Sequence, residues 1–336
     1  MTRFDLCPIL PTKKQATRWP PVFVWRGGGV IMVHYAHDGK QQMRGFFVET
    51  FSVMSFNIRG AFPEKQPARR WQNRADINTR TITARQPDLI GFQEVQIENA
   101  DHYNRHLAGY HHVVGCTSPH EQKWVMNPIY YAGKRWALID SGGFFLSQTP
   151  DVWSKGWDSA FVRGATWGRL QSKQTGAEIV HLNAHLDHIG ERARVESARL
   201  IVAMLDEVSD GLPVIVTADF NSRAWAPDNE HELHYPPAVH RDKLPPGGTV
   251  HGIFTASGFR DTYIESGNTD HLNCNTFHGF SGEAFPPCAL RIDWVLIRDG
   301  VTRNIETDGF DIVRDAEPPI YPSDHYPVLA RLRLGD

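Results

Sequence analysis

The chain has little cysteine, no long apolar run and almost no net charge, and each shortage closes off a class of protein. Four cysteines in 336 residues, Cys7, Cys116, Cys274 and Cys288, match neither a disulfide framework nor the paired spacing of a zinc knuckle. A bridge between Cys274 and Cys288 stays open. The apolar passage from Pro21 to Ala36 is broken by Arg26 and the three glycines that follow it. It is too short and too interrupted to span a bilayer, and it does not have the layout of a secretory leader. A soluble, cytoplasmic protein is the expectation. Lys and Arg total 35 against 38 Asp and Glu, a formal charge of -3. There is therefore no global basic field to gather polyanions, which counts against duplex DNA as the preferred ligand. Arg69, Arg70 and Arg74, or Arg192, Arg194 and Arg199, can each cluster locally, but both sets read as the solvated face of a helix. No fixed-period repeat, coiled coil or low-complexity tract is visible.

What is present is enough apolar sequence, 41% of residues, for one large α/β domain. Residues 1–47 carry no recognisable chemistry. Within them VFVW and VIMVHY flank Arg26-Gly27-Gly28-Gly29 as a small hairpin, and the internal Met32 and Met43 make this extension compatible with a reading frame opened too early. From Phe51 short apolar strands alternate with amphipathic helices. FSVMSFNI reads as a strand, Trp71 to Arg85 as a helix that must stop before Pro87, and Leu89 to Phe92 as the next strand. Strands follow at Tyr110–Val114, Pro128–Tyr131, Trp136–Leu146, Thr166–Gln171 and Glu178–Leu186. A helix from Glu191 to Val208 then presents Ala193, Ser197, Leu200, Ile201 and Met204 on one face. Pro213–Ala218 reads as a fully buried strand. The proline-punctuated stretch from Ala224 to Gly248 reads as a surface excursion. A short helix at Val250–Ser257 and strands at Trp294–Ile297 and Val328–Leu334 close the system.

The chemistry is concentrated where these strands end. Asn57 follows FSVMSF, Glu94 follows PDLIGFQ, Asp219 and Asn221 follow PVIVTA, Asp293 opens an apolar run, and Asp324-His325 precedes another. Hydrolysis of a phosphoester by water needs a hard cation, a base, and charge stabilisation on the phosphoryl oxygens. Mg²⁺ takes oxygen ligands and keeps several waters, so Glu94, Asn57 and Asp324 are of the right type to hold it. Singly, each is more often a cap or turn residue, and the argument is in their joint placement. In TADFN, Asp219 and Asn221 project to one side of a strand end, where an Asp can take a proton from water and an Asn amide can donate to phosphate. An Asx turn explains the same pair. His325 is poised for polarisation by a carboxylate, Asp293 or its neighbour Asp324. His185 ends another strand, with His181 as its competitor on the same strand face.

The series SFNIRG, PDLIGFQEV, HLNAHLDH, TADFN, RIDWVLI and SDHYPV, in this order and from about Phe51 to the C-terminus, closely resembles the endonuclease/exonuclease/phosphatase superfamily. That superfamily includes deoxyribonuclease I, exonuclease III, deadenylases, sphingomyelinases and inositol polyphosphate 5-phosphatases. The resemblance implies a four-layer α/β sandwich with two central mixed, mainly antiparallel β-sheets flanked by helices. It also implies a single catalytic domain over residues 48–336 that uses one or two Mg²⁺ or Mn²⁺ ions. Position by position it makes Asn57, Glu94 and Asp324 metal-site residues and His185 a phosphate-contacting histidine. Asp219 becomes the water-activating carboxylate, Asn221 its transition-state partner, and Asp293 the group that orients His325. The run from Arg135 to Leu170 is similar to a compact bacterial subgroup with some likeness to deadenylase catalytic domains. Within it Arg163 and Trp167 are candidates for substrate contact, as a phosphate fork and a stacking wall. Two positions depart from the pattern: Ala218 stands where Gly is common, and Ala184 where Thr is common.

The resulting expectation is a metal-dependent phosphodiesterase acting on a small phosphodiester, a nucleotide or single-stranded nucleic acid. A DNase-like endonuclease and a phosphotriester or phospholipid-headgroup hydrolase are the alternatives. Outside this class stand a non-catalytic binding module of the same fold and a glycosidase, which would be indifferent to chelation.

Overall fold

The computed structural model describes residues 48–117, 125–233, 235 and 244–335, together with the backbone of 22–26, 29–35 and 41–44. The chain divides into two compact units, Met1–Phe47 and Val48–Asp336. In the first, β1 (Val22–Arg26) and β2 (Gly29–Tyr35) form the antiparallel hairpin expected across the glycines, with Arg26 opposite Gly29. A third strand, β3 (Gln41–Arg44), pairs with β2.

The second unit holds two six-stranded sheets. In one, β14 (Asn304–Ile312), β15 (Val328–Gly335), β4 (Glu49–Asn57), β5 (Leu89–Gln93), β7 (Ile129–Ala132) and β6 (Tyr110–Val113) lie in that order. In the other the order is β12 (Arg260–Asp261), β13 (Asp293–Arg298), β11 (Val214–Asp219), β10 (Glu178–His185), β9 (Gly164–Ser172) and β8 (Trp136–Phe145). Each sheet is antiparallel except for one central parallel pair, β4 with β5 and β10 with β11. Parallel neighbours need a crossover. The crossovers are α1 (Trp71–Thr83) between β4 and β5 and α3 (Glu191–Val208) between β10 and β11.

The apolar pattern of these strands explains the four layers. Phe51 and Val53 of β4 face the opposing sheet, packing with Ile215, Val295 and Ile179. Met54 and Phe56, one step out of phase, face the helices and pack with Trp71, Ala75, Ile82 and Tyr103, the last from α2 (Ile97–His106). On the far side Val180, Leu182, Val214 and Val216 pack under Ala198, Ile201 and Leu205 of α3 and Phe254 of α4 (Thr249–Ala256). Period-two alternation thus sends one half of each strand to the inter-sheet seam and the other to a helix layer. Burial of this much apolar side chain, worth about 1.5–3 kcal/mol for each fully buried Val, Leu, Ile or Phe, is what the backbone entropy is set against.

Several sequence expectations change. The α3 face is rotated: Ala193, Arg194, Ser197, Ala198, Ile201 and Leu205 are buried, while Leu200 and Met204 lie at its margin. Arg74 and Arg194 are not on solvated faces. They are 0% and 3% exposed, because Arg74 donates to backbone carbonyls and Arg194 to the Asp187 carbonyl and the Glu191 carboxylate. Cys274 and Cys288 are free, buried thiols and not a bridge. Helix α2, strand β14 and the short β12 with α5 (Thr262–Glu265) went unread, since their sequences are polar or too brief to carry a period. Residues 234 and 236–243 of the proline-rich excursion lie outside the described residues; its first residue, Ala224, is buried. No helix among the described residues is long and apolar enough to cross a membrane.

Candidate active site

The carboxyl ends of the two parallel strand pairs meet at one place. Asn57 is the last residue of β4 and Glu94 immediately follows β5; His185 ends β10 and Asp219 ends β11. In register, His185 lies opposite Asp219, and Asp219 opposite Asp293 at the start of β13. Strand ends at a point where crossovers diverge are where open α/β sheets leave room for a ligand. Asn57 Nδ2 donates to Asp219 Oδ2 at 2.8 Å and to Glu94 Oε1 at 3.2 Å, joining the two sheets. His185 Nε2 is 3.3 Å and His325 Nε2 3.8 Å from the same Asp219 oxygen. His325 Nδ1 is 2.9 Å from Asp293 Oδ2. Asn221 donates its backbone N–H to Asp219 Oδ1 at 2.9 Å, and its Nδ2 lies 3.0 Å from the Leu186 carbonyl and 2.9 Å from His185 Nε2.

The backbone at these strand ends is held in an unusual conformation. Arg59, Glu94 and Asn221 have φ of 49°, 63° and 47°. Asn tolerates the left-handed region, but for Arg and Glu it costs of order 1 kcal/mol or more, to be met by the surrounding structure. Arg74 supplies much of that support. Reaching up from α1, it donates to the carbonyls of Ile58 at 2.6 Å, Gly60 at 2.7 Å and Pro322 at 3.0 Å, and to that of Arg59. It so ties the loop after Asn57 to the loop before Asp324. Asn78 also donates to Pro322 O at 3.1 Å, and Ser323 Oγ donates to Asn57 O at 2.7 Å.

The electrostatics follow from burial of opposed charges. Burial and the neighbouring Asp293 carboxylate push the Asp219 carboxyl up to about 7. Burial works against a charged His325, but the carboxylates of Asp293 and Asp219 outweigh it and raise the imidazole to about 10. His185 is driven the other way, well below its usual range, by burial and then by the charges of Arg163 and His325. Glu94 is raised by burial and by repulsion from Asp324. Two facing histidines thus differ in charge because only one has a dedicated carboxylate.

These residues fit a hard divalent cation. Glu94 Oε2 and Asp293 Oδ1 are buried and have no hydrogen-bond partner among the described residues. A carboxylate oxygen buried without a donor is costly unless a cation satisfies it. Glu94 and Asp324 repel one another, a repulsion that a cation between them would relieve. Asp219, Asp293 and His325 also offer ligand atoms within 4.8 Å of one another. The oxygen donors of Asn57, Glu94 and Asp324 are of the type that Mg²⁺ or Mn²⁺ accepts.

The candidates separate as follows. Asn57, Glu94, His185, Asp219, Asn221, Asp293 and His325 are linked by the contacts above, and Asp324 lies 3.7 Å from Arg59 Nε beside them. Arg163 pairs with Asp187 at 3.4 Å and feels the carboxylates of Asp219 and Glu94. Trp167 does not reach it: paired with Leu182, it packs on the helix side of the sheet. His181 is a structural histidine in a polar seam beneath the site, with Nε2 2.9 Å from Thr217 Oγ1. Thr217 reaches Asn183 Oδ1 at 3.1 Å, and Gln93 donates to the same oxygen at 2.7 Å. Gly91 belongs to this seam, since a Cβ there would collide with Thr217 Oγ1 and press on Asn183. Arg59, Arg74 and Asp187 were missed. The only sequence signal for Asp187 was its place in HLNAHLDH, and Arg74 looked like any helical arginine.

A family model described as the Endonuclease/Exonuclease/phosphatase family matches residues 54–325. Among solved structures, an endonuclease/exonuclease/phosphatase family protein from Bacteroides thetaiotaomicron is 27% identical with a TM-score of 0.71, over 86% of this chain and 99% of that one. A mannosyl-6-phosphatase from the same organism is also 27% identical, with a TM-score of 0.69 over 84% of this chain and 99% of that one. Among curated proteins, an uncharacterized protein of Acanthamoeba polyphaga mimivirus is 27% identical over 183 residues, 51% of this chain and 66% of that protein.

Proposed function

The chain belongs to the endonuclease/exonuclease/phosphatase family, and on that premise we propose that it is a divalent-metal-dependent hydrolase of small phosphoesters, with residues 48–336 as its catalytic domain. The observation that carries this reading is the Asn57–Asp219 contact, which brings a candidate metal-site residue from one sheet against a candidate base from the other. Members of the family are phosphoester hydrolases, and one relative of solved structure, 27% identical, is named a mannosyl-6-phosphatase, which brings phosphomonoesters beside the small phosphodiesters that the motifs suggest. The net charge of -3 weighs against a long polyanion.

In this reading Asn57, Glu94 and Asp324 hold Mg²⁺ or Mn²⁺. When bound, the ion neutralises charge on the phosphoryl oxygens. Asp219, with a carboxyl raised to about 7 by burial and Asp293, takes a proton from the attacking water near neutral pH. Asn221 and His185, side by side at 2.9 Å, orient and stabilise the phosphoryl oxygens. His325, kept cationic by Asp293 and Asp219, supplies a fixed positive charge opposite the developing negative charge. Arg163 binds a non-reacting oxygen of the substrate as a fork.

The test is phosphate or alcohol release from a panel comprising a hexose 6-phosphate, a small phosphodiester, oligo-A and plasmid DNA, with Mn²⁺, with Mg²⁺ and with EDTA. Turnover of small esters that EDTA abolishes is the expected result. Plasmid nicking stronger than any small-ester turnover would replace the proposal with an endonuclease, and turnover indifferent to EDTA would remove the metal.

A further inference from the structure

One wall of the site is built around a buried carboxylate that the proposed chemistry does not use. Asp187, 1% exposed, lies two residues beyond His185. Its Oδ1 accepts from the backbone N–H groups of Ile189 at 2.9 Å and Gly190 at 2.8 Å. Its Oδ2 accepts from Ser159 Oγ at 3.0 Å, Phe161 N at 3.4 Å and Arg163 Nε at 3.4 Å. Its own carbonyl accepts from Arg194 Nη1 at 2.9 Å. One residue therefore fastens the segment 159–163 to the segment that follows β10, and both are anchored on α3.

The clamp has a visible product. Phe161 is 60% exposed. It lies flat against the His188 imidazole, with centroids 5.6 Å apart and planes 17° from parallel. Arg163 Nη2 is 3.2 Å from His188 Nδ1, and the guanidinium feels the charges of Asp219 and Glu94. Burial and Arg163 both disfavour a charge on His188, so the pair presents neutral ring faces. Ile189, 65% exposed, adds a further apolar side chain to the same segment. A phosphate-seeking guanidinium thus has two parallel rings at its flank, pinned by a carboxylate whose other contacts are all to its own two loops and to Arg163.

We propose that Phe161 and His188 form a platform for a ring in the leaving group, so that the substrates preferred by this site are phosphoesters of ring-bearing alcohols. The proposal rests on the hydrolase reading above. In it Arg163 holds the phosphoryl end while the ring, a pyranose or a nucleoside, lies against Phe161. Asp187 is a positioning residue that holds Phe161 and Arg163 against the segment after β10.

The experiment compares three phosphomonoesters in Mn²⁺: mannose 6-phosphate, adenosine 5′-monophosphate and glycerol 3-phosphate, the last without a ring. The quantity read is the ratio of kcat/KM for each ring substrate to that for glycerol 3-phosphate. Phe161→Leu, which keeps an apolar side chain without a ring, is expected to lower one or both ratios about five- to tenfold, as loss of one aromatic contact does. Phe161→Trp is expected to restore the ratio. Whichever ring substrate shows the fall identifies the ring as sugar or nucleoside. A ratio unchanged in Phe161→Leu for both ring substrates overturns the platform. A wild-type protein that releases phosphate from none of the three, nor from the diester panel, overturns instead the hydrolase reading on which it rests.

Discussion

Asn57 Nδ2 reaches Asp219 Oδ2 at 2.8 Å across the seam between the two sheets, from strands whose residues are 162 apart in sequence. Neither side chain is more than 1% exposed. The contact exists because both parallel strand pairs end at the same level, and it makes the site a property of the sheet pairing.

Replacing Asp219 by Asn removes the proposed base while keeping shape and the acceptor for Asn221 N–H. Turnover is expected to fall by about 10²–10⁴-fold, the usual contribution of a positioned base. Circular dichroism and a thermal melt separate lost chemistry from lost fold. A folded Asp219→Asn protein with wild-type kcat would sink the proposed mechanism.

Metal should be readable without turnover. Mn²⁺ at a hundred times its dissociation constant adds about 2.7 kcal/mol of stability if it binds only the folded chain, so the melting temperature should rise with Mn²⁺ and fall back with EDTA. Glu94→Gln, which removes the charge beside Asp324, should lose most of that rise. A rise of equal size in the variant would place the ion elsewhere.

Arg74 should be needed both for stability and for the metal site. Arg74→Met leaves the carbonyls of Ile58, Arg59 and Gly60 without this donor and that of Pro322 with Asn78 alone. At about 1–3 kcal/mol for each unsatisfied group, a loss of at least about 3 kcal/mol is expected in urea titration. Arg74→Lys should recover only part, because one ammonium cannot span carbonyls on two loops. In that milder variant the Mn²⁺ concentration for half-maximal turnover should rise about tenfold, as for other ligand-supporting groups. Full stability with an unaltered Mn²⁺ requirement would show that the loops hold themselves.

His181 makes a prediction about pH. Burial lowers its imidazole to about 3, whereas in the unfolded chain it titrates near 6.5. Between these values the unfolded chain binds a proton that the folded chain refuses. Stability contributed by the neutral ring is therefore complete above about pH 6.5 and is lost progressively as pH falls toward 3, by up to about 1.4 kcal/mol per pH unit. Urea titrations at pH 7, 6 and 5 should show this slope reduced in His181→Gln, which can still reach Thr217. Parallel slopes for the two proteins would mean that His181 is protonated in the fold.

The sequence by itself carried the strands that end in chemistry. Apolar runs stopping at Asn57, Glu94, His185 and Asp219 are legible because a buried strand must be apolar almost to its last residue, so a polar residue at its mouth stands out. Helix α3 was readable to its ends, Glu191–Val208, from its 3.6-residue period. The motif series, in its order, was enough to point to the family and hence to the two-sheet architecture.

Tertiary structure decided the rest, because it depends on distances between residues that no local pattern relates. Arg74 and Arg80 lie on one helix, yet Arg74 is fully buried against backbone carbonyls while Arg80 pairs with Glu317 at the surface. Trp167 and Arg163 are four residues apart, yet Trp167 packs on the helix side of the sheet while Asp187 holds the Arg163 guanidinium at 3.4 Å. His181 and His185 share a strand face, and only the depth of the seam separates a structural imidazole from one beside Asp219. The chain order set which groups were available; the closing of one sheet on the other set which of them share a charge, a donor or a cation.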